Sequence, residues 1–243
     1  MLYERLPIPM FIVLPLAVAV LSGLRPRRMF FGALCLLLVS ALSWLPFYAV
    51  KPYPLADGIQ NEEWAELSAL LTYRLESEPL SDFSKNPPLC PTVRKASFSG
   101  LLRSLSIAGF CVPLTREAYV NVSEPVYTLP FVSFHEQAHQ IGLADEGQAG
   151  IYAYLSCVSS HNPEMRMSGK LVALKYVLIA WNDEFPEEAA SFIHQLPSDI
   201  HSALREIGTF LPSQQDTRAR PSFAGDYGDL APGLIFRLRS GLL

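Results

Sequence analysis

Cysteine is scarce in this sequence, and its spacing excludes two common kinds of site. The chain has four cysteines among 243 residues, and none of them form a C-x-x-C pair. Zinc ribbons and thioredoxin-type redox sites are therefore not expected. Cys90 and Cys111 would suit a disulfide in an oxidising compartment, and otherwise they are small buried apolar residues. Cys157 falls in a helical pattern and indicates helix packing.

Runs of positive charge are also nearly absent. The formal net charge is −4, and the only cluster of basic residues is Arg25-Pro26-Arg27-Arg28. Proteins that bind nucleic acid usually concentrate lysine and arginine on one face or in one segment. We therefore expect no nucleic acid partner.

Charge is missing altogether from two long apolar segments near the N-terminus. Residues 6–24 and 29–50 contain no charged side chain, and each is long enough to cross a hydrocarbon layer as a helix. A cleaved signal peptide would explain the first segment, but the second is too long for a signal core. We predict that residues 1–51 form a transmembrane helical hairpin in contact with membrane lipid.

The three arginines between these segments predict the orientation of the chain. By the positive-inside rule, residues 25–28 lie in the cytoplasm, which sends the long C-terminal part to the other side. The expected localisation is the cell membrane, with residues 52–243 forming an extracytoplasmic domain. That length is sufficient for one domain with a sizeable core.

The sequence His135-Glu136-Gln137-Ala138-His139 points most directly to chemistry. Two histidines four residues apart lie on the same face of a helix, so both imidazoles can reach one metal ion. Gly142 can adopt the left-handed conformation that ends a helix, and the chain can then return to bring Glu146 to the metal. We predict one Zn²⁺ held by His135, His139 and Glu146. Three protein ligands leave an open position, which is typical of catalytic zinc.

Glu136 is the predicted general base, because it lies beside the metal and could take the proton of a water that zinc activates. Two other interpretations stay open. The histidines could be ordinary polar positions on an amphipathic helix, or the site could bind zinc without performing chemistry. We favour the interpretation that the protein is a zinc metallopeptidase, which hydrolyses a peptide bond in a peptide or protein substrate.

The apolar pattern of the remaining chain predicts an α+β fold that is mostly helical, with a small sheet. Residues 52–58 form a polar linker and residues 79–92 a loop. Two short strands are predicted at residues 108–112 and 118–122, where an edge could accept an extended substrate. Helices are predicted over residues 61–78, 130–141, 146–156, 165–180, 187–195, 198–210 and 230–238.

Several stretches follow the pattern of a known family, namely residues 94–99, 109–110, 115–121, 129–131 and 135–149, with a weaker echo at 226–228. Over roughly residues 87–176 the chain resembles a bacterial membrane family known as domain of unknown function 3810, whose members resemble gluzincin metallopeptidases. The resemblance implies a zincin-like domain. It also implies that His135, His139 and Glu146 are zinc ligands and that Glu136 is the general base.

The chain departs from that family in two ways. Relatives continue the third-ligand motif as E-x-E-A-N, whereas this chain has Glu146-Gly147-Gln148-Ala149-Gly150. The loss of an acid and an amide predicts a weaker metal site or an altered substrate. Relatives also tend to carry a further N-terminal membrane helix, which a start site upstream of Met1 would restore.

The sequence does not identify the group that stabilises an oxyanion. Tyr227, His161 and Arg166 are candidates, and each is also a common structural residue. A rival function is a non-catalytic membrane sensor or scaffold that keeps the zinc fold to bind a partner. Glu136 favours the enzyme, since a site without activity needs no base. An amide hydrolase of cell-wall peptides would share the chemistry and differ in substrate.

Overall fold

A computed structural model describes residues 52–78, 80, 83–105, 107–112, 115–208 and 229–243, together with four isolated positions between residues 32 and 38. The predicted spans at residues 6–24 and 29–50 lie outside the described residues, apart from those four positions. Tyr227 lies outside them as well. Within the described ranges, no helix combines the length and the apolar character that crossing a membrane requires.

The described residues form a mostly helical α+β domain with a three-stranded sheet. The helices are α1 (Asn61–Glu76), α2 (Ser99–Ser104), α3 (Leu129–Ile141), α4 (Glu146–Val158), α5 (Pro163–Glu184), α6 (Pro186–His194), α7 (Ser198–Glu206) and α8 (Leu230–Arg239). The strands are β1 (Val93–Lys95), β2 (Gly109–Val112) and β3 (Glu117–Val120), and a 3₁₀ turn at Val126–Thr128 precedes α3.

All seven predicted helical segments contain a helix. Both predicted strands are present with four residues instead of five, and β3 begins one residue earlier than predicted. The predictions missed β1 and α2. β1 has only three residues and pairs in parallel with β3, where Val93 is the partner of Ala118. α2 buries no side chain. A three-residue strand is too short to show alternating apolar residues. A helix that buries no side chain has no periodic apolar face, so neither element can be recognised from the sequence pattern.

The main core is built around α5. Side chains from Met167 to Leu174 are all buried, so this helix is enclosed on every side rather than along one stripe. α1, α4 and α8 pack against it and contribute the large buried residues Trp64, Tyr154 and Leu234, among others. The core holds α4, and therefore its first residue Glu146, in a fixed position.

The contact between α4 and α5 depends on a glycine. A Cβ atom added at Gly169 would lie 2.4 Å from the Cβ of Cys157 and 3.6 Å from the carbonyl oxygen of Tyr154. Since Cys157 Cβ is fixed to the α4 backbone, the two helices would have to separate to admit a methyl group. The close approach of α4 and α5 therefore requires glycine at this position.

Gly169→Ala should lower the free energy of unfolding by about 1–2 kcal/mol, because overpacking outweighs the gain in helix propensity. Gly100→Ala is the matched control, since a Cβ there meets nothing within 4 Å. It should be neutral or slightly stabilising. Thermal unfolding of the two purified variants tests the difference, and equal melting temperatures would contradict the packing argument.

The small sheet has the order β1-β3-β2, so β2 is an edge strand. β2 and β3 are antiparallel, with Gly109 opposite Val120. A second apolar cluster joins the sheet to α3 through Val120, Leu129 and Val132. This packing sets the sheet directly against the helix that carries both motif histidines.

Cys90 and Cys111 belong to this second cluster and are unbridged in the structure. Both thiols are buried, and burial raises the pKa of Cys111 to about 12. Of the two alternatives that the sequence left open, the structure shows small buried apolar residues. Cys157 is buried between α4 and α5, as predicted.

Candidate metal centre

Helix α3 presents both motif histidines to the interior. Pro130 occupies its first turn, where the missing N–H costs little, and the helix ends at Gly142 with φ 111°. The Leu143 amide then donates to the carbonyl oxygen of Ala138 at 3.0 Å, which reverses the chain. This confirms the predicted left-handed end of the helix.

Helix α4 begins immediately after that reversal. Asp145 is its N-cap and accepts a hydrogen bond from the backbone N–H of Gln148 at 3.1 Å. Glu146 is therefore the first helical residue, where a carboxylate is favoured by the helix dipole. The short connection from Gly142 to Asp145 aims Glu146 back at the histidines of α3.

The three groups converge on one point. His135 Nε2 lies 2.9 Å from Glu146 Oε2 and 3.1 Å from His139 Nε2. The distance from His139 Nε2 to Glu146 Oε2 is 3.6 Å. Tetrahedral zinc, with bonds of about 2.1 Å, separates its ligand atoms by about 3.4 Å. The set of His135, His139 and Glu146 therefore has the size and the donor chemistry that could hold a metal ion.

The hydrogen bond at the far side of His139 prepares it as a ligand. His139 Nδ1 lies 2.6 Å from the carbonyl oxygen of Leu143, which can only accept, so Nδ1 carries the hydrogen. In the neutral ring, Nε2 then exposes its lone pair to the centre. Partners of this kind fix the tautomer of metal-binding histidines. The same reversal that positions Glu146 thus also orients His139.

Acceptor atoms outnumber hydrogens at this centre. The lone pair of His139 Nε2 and the carboxylate of Glu146 both face His135 Nε2, which can donate only one hydrogen. Burial opposes ionisation of Glu146, but the hydrogen bond from His135 and the nearby His139 ring outweigh it and hold the pKa of Glu146 well below its usual range. A cation bound at the centre would satisfy both of these acceptors together.

Glu136 lies beside these residues but is not one of the three donors. Its side chain is buried, and Oε2 makes no hydrogen bond with any described residue. Burial raises the pKa of Glu136 to about 8. A buried carboxyl group without a partner for one oxygen is costly for the fold, and a neighbouring cation or polar ligand would offset that cost. The arrangement therefore fits a divalent metal in this position.

Strand β2 closes over Glu136. A Cβ atom added at Gly109 would lie 2.6 Å from Glu136 Oε1 and 2.7 Å from its Cγ. Glycine at the start of β2 lets the edge strand approach the carboxyl group at a distance that any side chain would prevent. No function was predicted for Gly109, because nothing local relates it to a residue 27 positions away.

Gly147 and Gln148, which follow the predicted third ligand, connect α4 to distant segments. The Gln148 side chain accepts a hydrogen bond from the backbone N–H of Tyr53 and donates to the Tyr53 carbonyl oxygen at 3.3 Å. A Cβ added at Gly147 would lie 2.3 Å from the Cβ of Asp229. These two positions therefore attach the linker and the start of α8 beside the third ligand.

Two of the candidate oxyanion donors are at the wrong end of α4. His161 is exposed and follows the C-terminus of that helix, about 18 Å of helical rise from Glu146. Arg166 Nε binds Glu78 at 2.6 Å, and its guanidinium also donates to the carbonyl oxygen of His161 at 2.8 Å. Arg166 is committed to a structural ion pair, so neither residue can serve the centre.

Comparison with known protein families identifies the family of this chain. Residues 58–225 match the model of a family described as a protein of unknown function, DUF3810. The chain belongs to this family. The match includes α3, α4 and every residue of the candidate centre. No curated protein matches the chain, and no solved structure does. The function must therefore be argued from the centre itself.

Proposed function

We propose that this DUF3810 protein is a membrane-anchored zinc metallopeptidase with a gluzincin-like centre. The observation that carries the proposal is the pairing of a three-donor centre with Glu136, a buried carboxyl group that does not belong to the donor set. A site that only binds metal has no use for such a group. A hydrolase needs one, because a proton must leave the attacking water.

In this proposal His135, His139 and Glu146 hold the zinc. Zinc bound there would lower the pKa of a water and polarise the scissile carbonyl. Glu136 takes the proton of the attacking water and returns it to the leaving amine. Burial keeps bulk water from competing for that proton, and β2 fixes the carboxyl group from one side. Strand β2 is also an edge strand, which supports binding of an extended peptide beside Glu136.

The direct test is an assay of the purified full chain for zinc and for hydrolysis of a peptide library. Hydrolysis that a chelator removes and zinc restores is the expected result. Stoichiometric zinc without cleavage of any peptide would instead favour the scaffold function, in which the same centre only stabilises a binding domain.

Gly109→Ala should lower kcat by about 10²-fold or more while zinc content stays near that of the native protein. The added methyl group occupies the space of the Glu136 side chain, and a small displacement of a catalytic group is costly. Metal analysis and kinetics on the same preparation test this expectation. Gly100→Ala, which adds a methyl group in open space, should retain full activity. Full activity in Gly109→Ala would show that the contact is unimportant.

The proposed location gives a separate prediction. A periplasmic-type reporter fused after Leu243 should be active, and one fused after Arg28 should be inactive, because residues 25–28 carry the positive charge that sets orientation. Alkaline phosphatase and a cytoplasm-specific fluorescent protein provide opposite readouts. If the cytoplasm-specific fluorescent protein is active when fused after Leu243 and alkaline phosphatase is inactive there, the proposed topology is wrong.

A further inference from the structure

Helix α2 exposes an apolar stripe that the metal centre does not use. Phe98, Leu101 and Leu105 are 73%, 61% and 52% exposed, and their spacing places them on one face of the helix. Val122, 40% exposed, joins them, since its backbone N–H donates to Ser99 Oγ at 3.3 Å. We call Phe98, Leu101, Leu105 and Val122 the α2 patch. Four large apolar side chains so exposed on one small surface indicate a binding surface.

The charge around the α2 patch is mostly positive. Residues 83–116 contain five lysines and arginines and no acidic residue, although the whole chain has a formal net charge of −4. Lys95 and Arg103 are exposed beside the patch, and Arg103 donates to the carbonyl oxygen of Ser123 at 3.0 Å. Glu124, the acid at its margin, is partly buried and accepts a hydrogen bond from Asn121. Apolar side chains bordered by cations suit an anionic lipid surface.

The domain is also held close to the predicted membrane segments. The second apolar run ends at Val50, and Tyr53 is already hydrogen-bonded to Gln148 of α4. Three residues span at most about 11 Å. If residues 29–50 cross the membrane, the linker is too short to let the domain move far from the lipid headgroups.

We propose that the α2 patch inserts into the headgroup region of an anionic membrane. Leu105 is four residues from Gly109, the residue in contact with Glu136, so the Cα atoms of Leu105 and Gly109 lie within about 14 Å of each other. The enzyme would then present its centre to peptide segments at the membrane surface. The lipid contact itself does not depend on hydrolysis, and it can fail or hold independently of the proposed activity.

Nitroxide labels on the full chain in vesicles test the insertion. Leu101→Cys in a Cys35→Ser background gives one reactive site, because the other three cysteines are buried. Tyr73→Cys is the matched control, since Tyr73 is 71% exposed on α1. Accessibility to oxygen, which partitions into lipid, is compared with accessibility to a water-soluble nickel chelate. Vesicles of phosphatidylcholine alone are compared with vesicles that also contain phosphatidylglycerol.

In anionic vesicles the label at position 101 should favour oxygen over nickel, whereas the label at position 73 should favour nickel in both vesicle types. Reversing the charges with Lys95→Glu and Arg103→Glu should return position 101 to water. Equal nickel accessibility at both positions would overturn the proposal. So would low accessibility to both reagents at position 101, which would mean that a second copy of the chain covers the patch. An unchanged circular dichroism spectrum and melting temperature show that each variant is folded.

Discussion

Glu136→Gln should abolish hydrolysis while leaving zinc and the fold in place. Glutamine has nearly the same shape as glutamate, so the contact with Gly109 is preserved. It cannot accept the proton of the attacking water. A positioned general base contributes about 10²–10⁴-fold to rate, and at least that loss is expected in kcat. Removing a buried carboxyl group that lacks a partner for Oε2 should not reduce stability.

Glu146→Gln is the informative comparison for that variant. Glu146 lies 2.9 Å from His135 Nε2, and a neutral amide oxygen is a poorer zinc ligand than a carboxylate. This variant should lose metal first and activity as a consequence, and excess zinc should restore part of the activity. Excess zinc should not rescue Glu136→Gln. Full cleavage by Glu136→Gln would refute the proposed role of Glu136.

His139→Ala should lose the zinc that stabilises the folded protein. A ligand present at 1,000 times its Kd stabilises the native state by about 4 kcal/mol, provided that the unfolded chain does not bind it. Zinc should therefore raise the melting temperature of the native sequence strongly and that of the variant little. Zinc content by mass spectrometry and thermal unfolding with and without chelator provide the two measurements.

The chelated samples separate metal loss from structural damage, because His139 also binds the Leu143 carbonyl oxygen. If His139→Ala still melts at a lower temperature than the native protein when chelator is present, that difference measures the lost hydrogen bond. The additional difference seen with zinc measures the loss of metal binding. His194→Ala is the control, since His194 is exposed on α6. It should keep its zinc and its response to zinc. Equal zinc in His139→Ala and the native protein would show that the ligand assignment is wrong.

Local sequence accounts for much of the centre. Two histidines four residues apart face the same point whenever the segment is helical, and Gly142 ends that helix. The approach of Glu146 follows from a short connection after the glycine. Each of these steps spans a few residues, so backbone geometry nearly fixes the result. The prediction that these three side chains converge is accordingly met by the structure.

Long-range contacts account for what the sequence analysis missed or misjudged. β1 exists because it pairs with β3, more than 20 residues further along the chain. Arg166 is plausible as a catalytic residue until its ion pair with Glu78 is seen. The hydrogen bonds between the Gln148 side chain and the linker at Tyr53 join residues 95 positions apart, so the motif could not predict them.

The sequence alone determined the helices with a strong apolar period, the reversal at Gly142 and the identity of the donor set. These depend on local geometry, which a residue's near neighbours dictate. Tertiary structure alone decided that β2 covers Glu136 through Gly109 and that Gln148 holds Tyr53. It also decided that the α2 patch stays exposed. Those outcomes depend on which distant surfaces pack together, and no periodicity within a single segment encodes that choice.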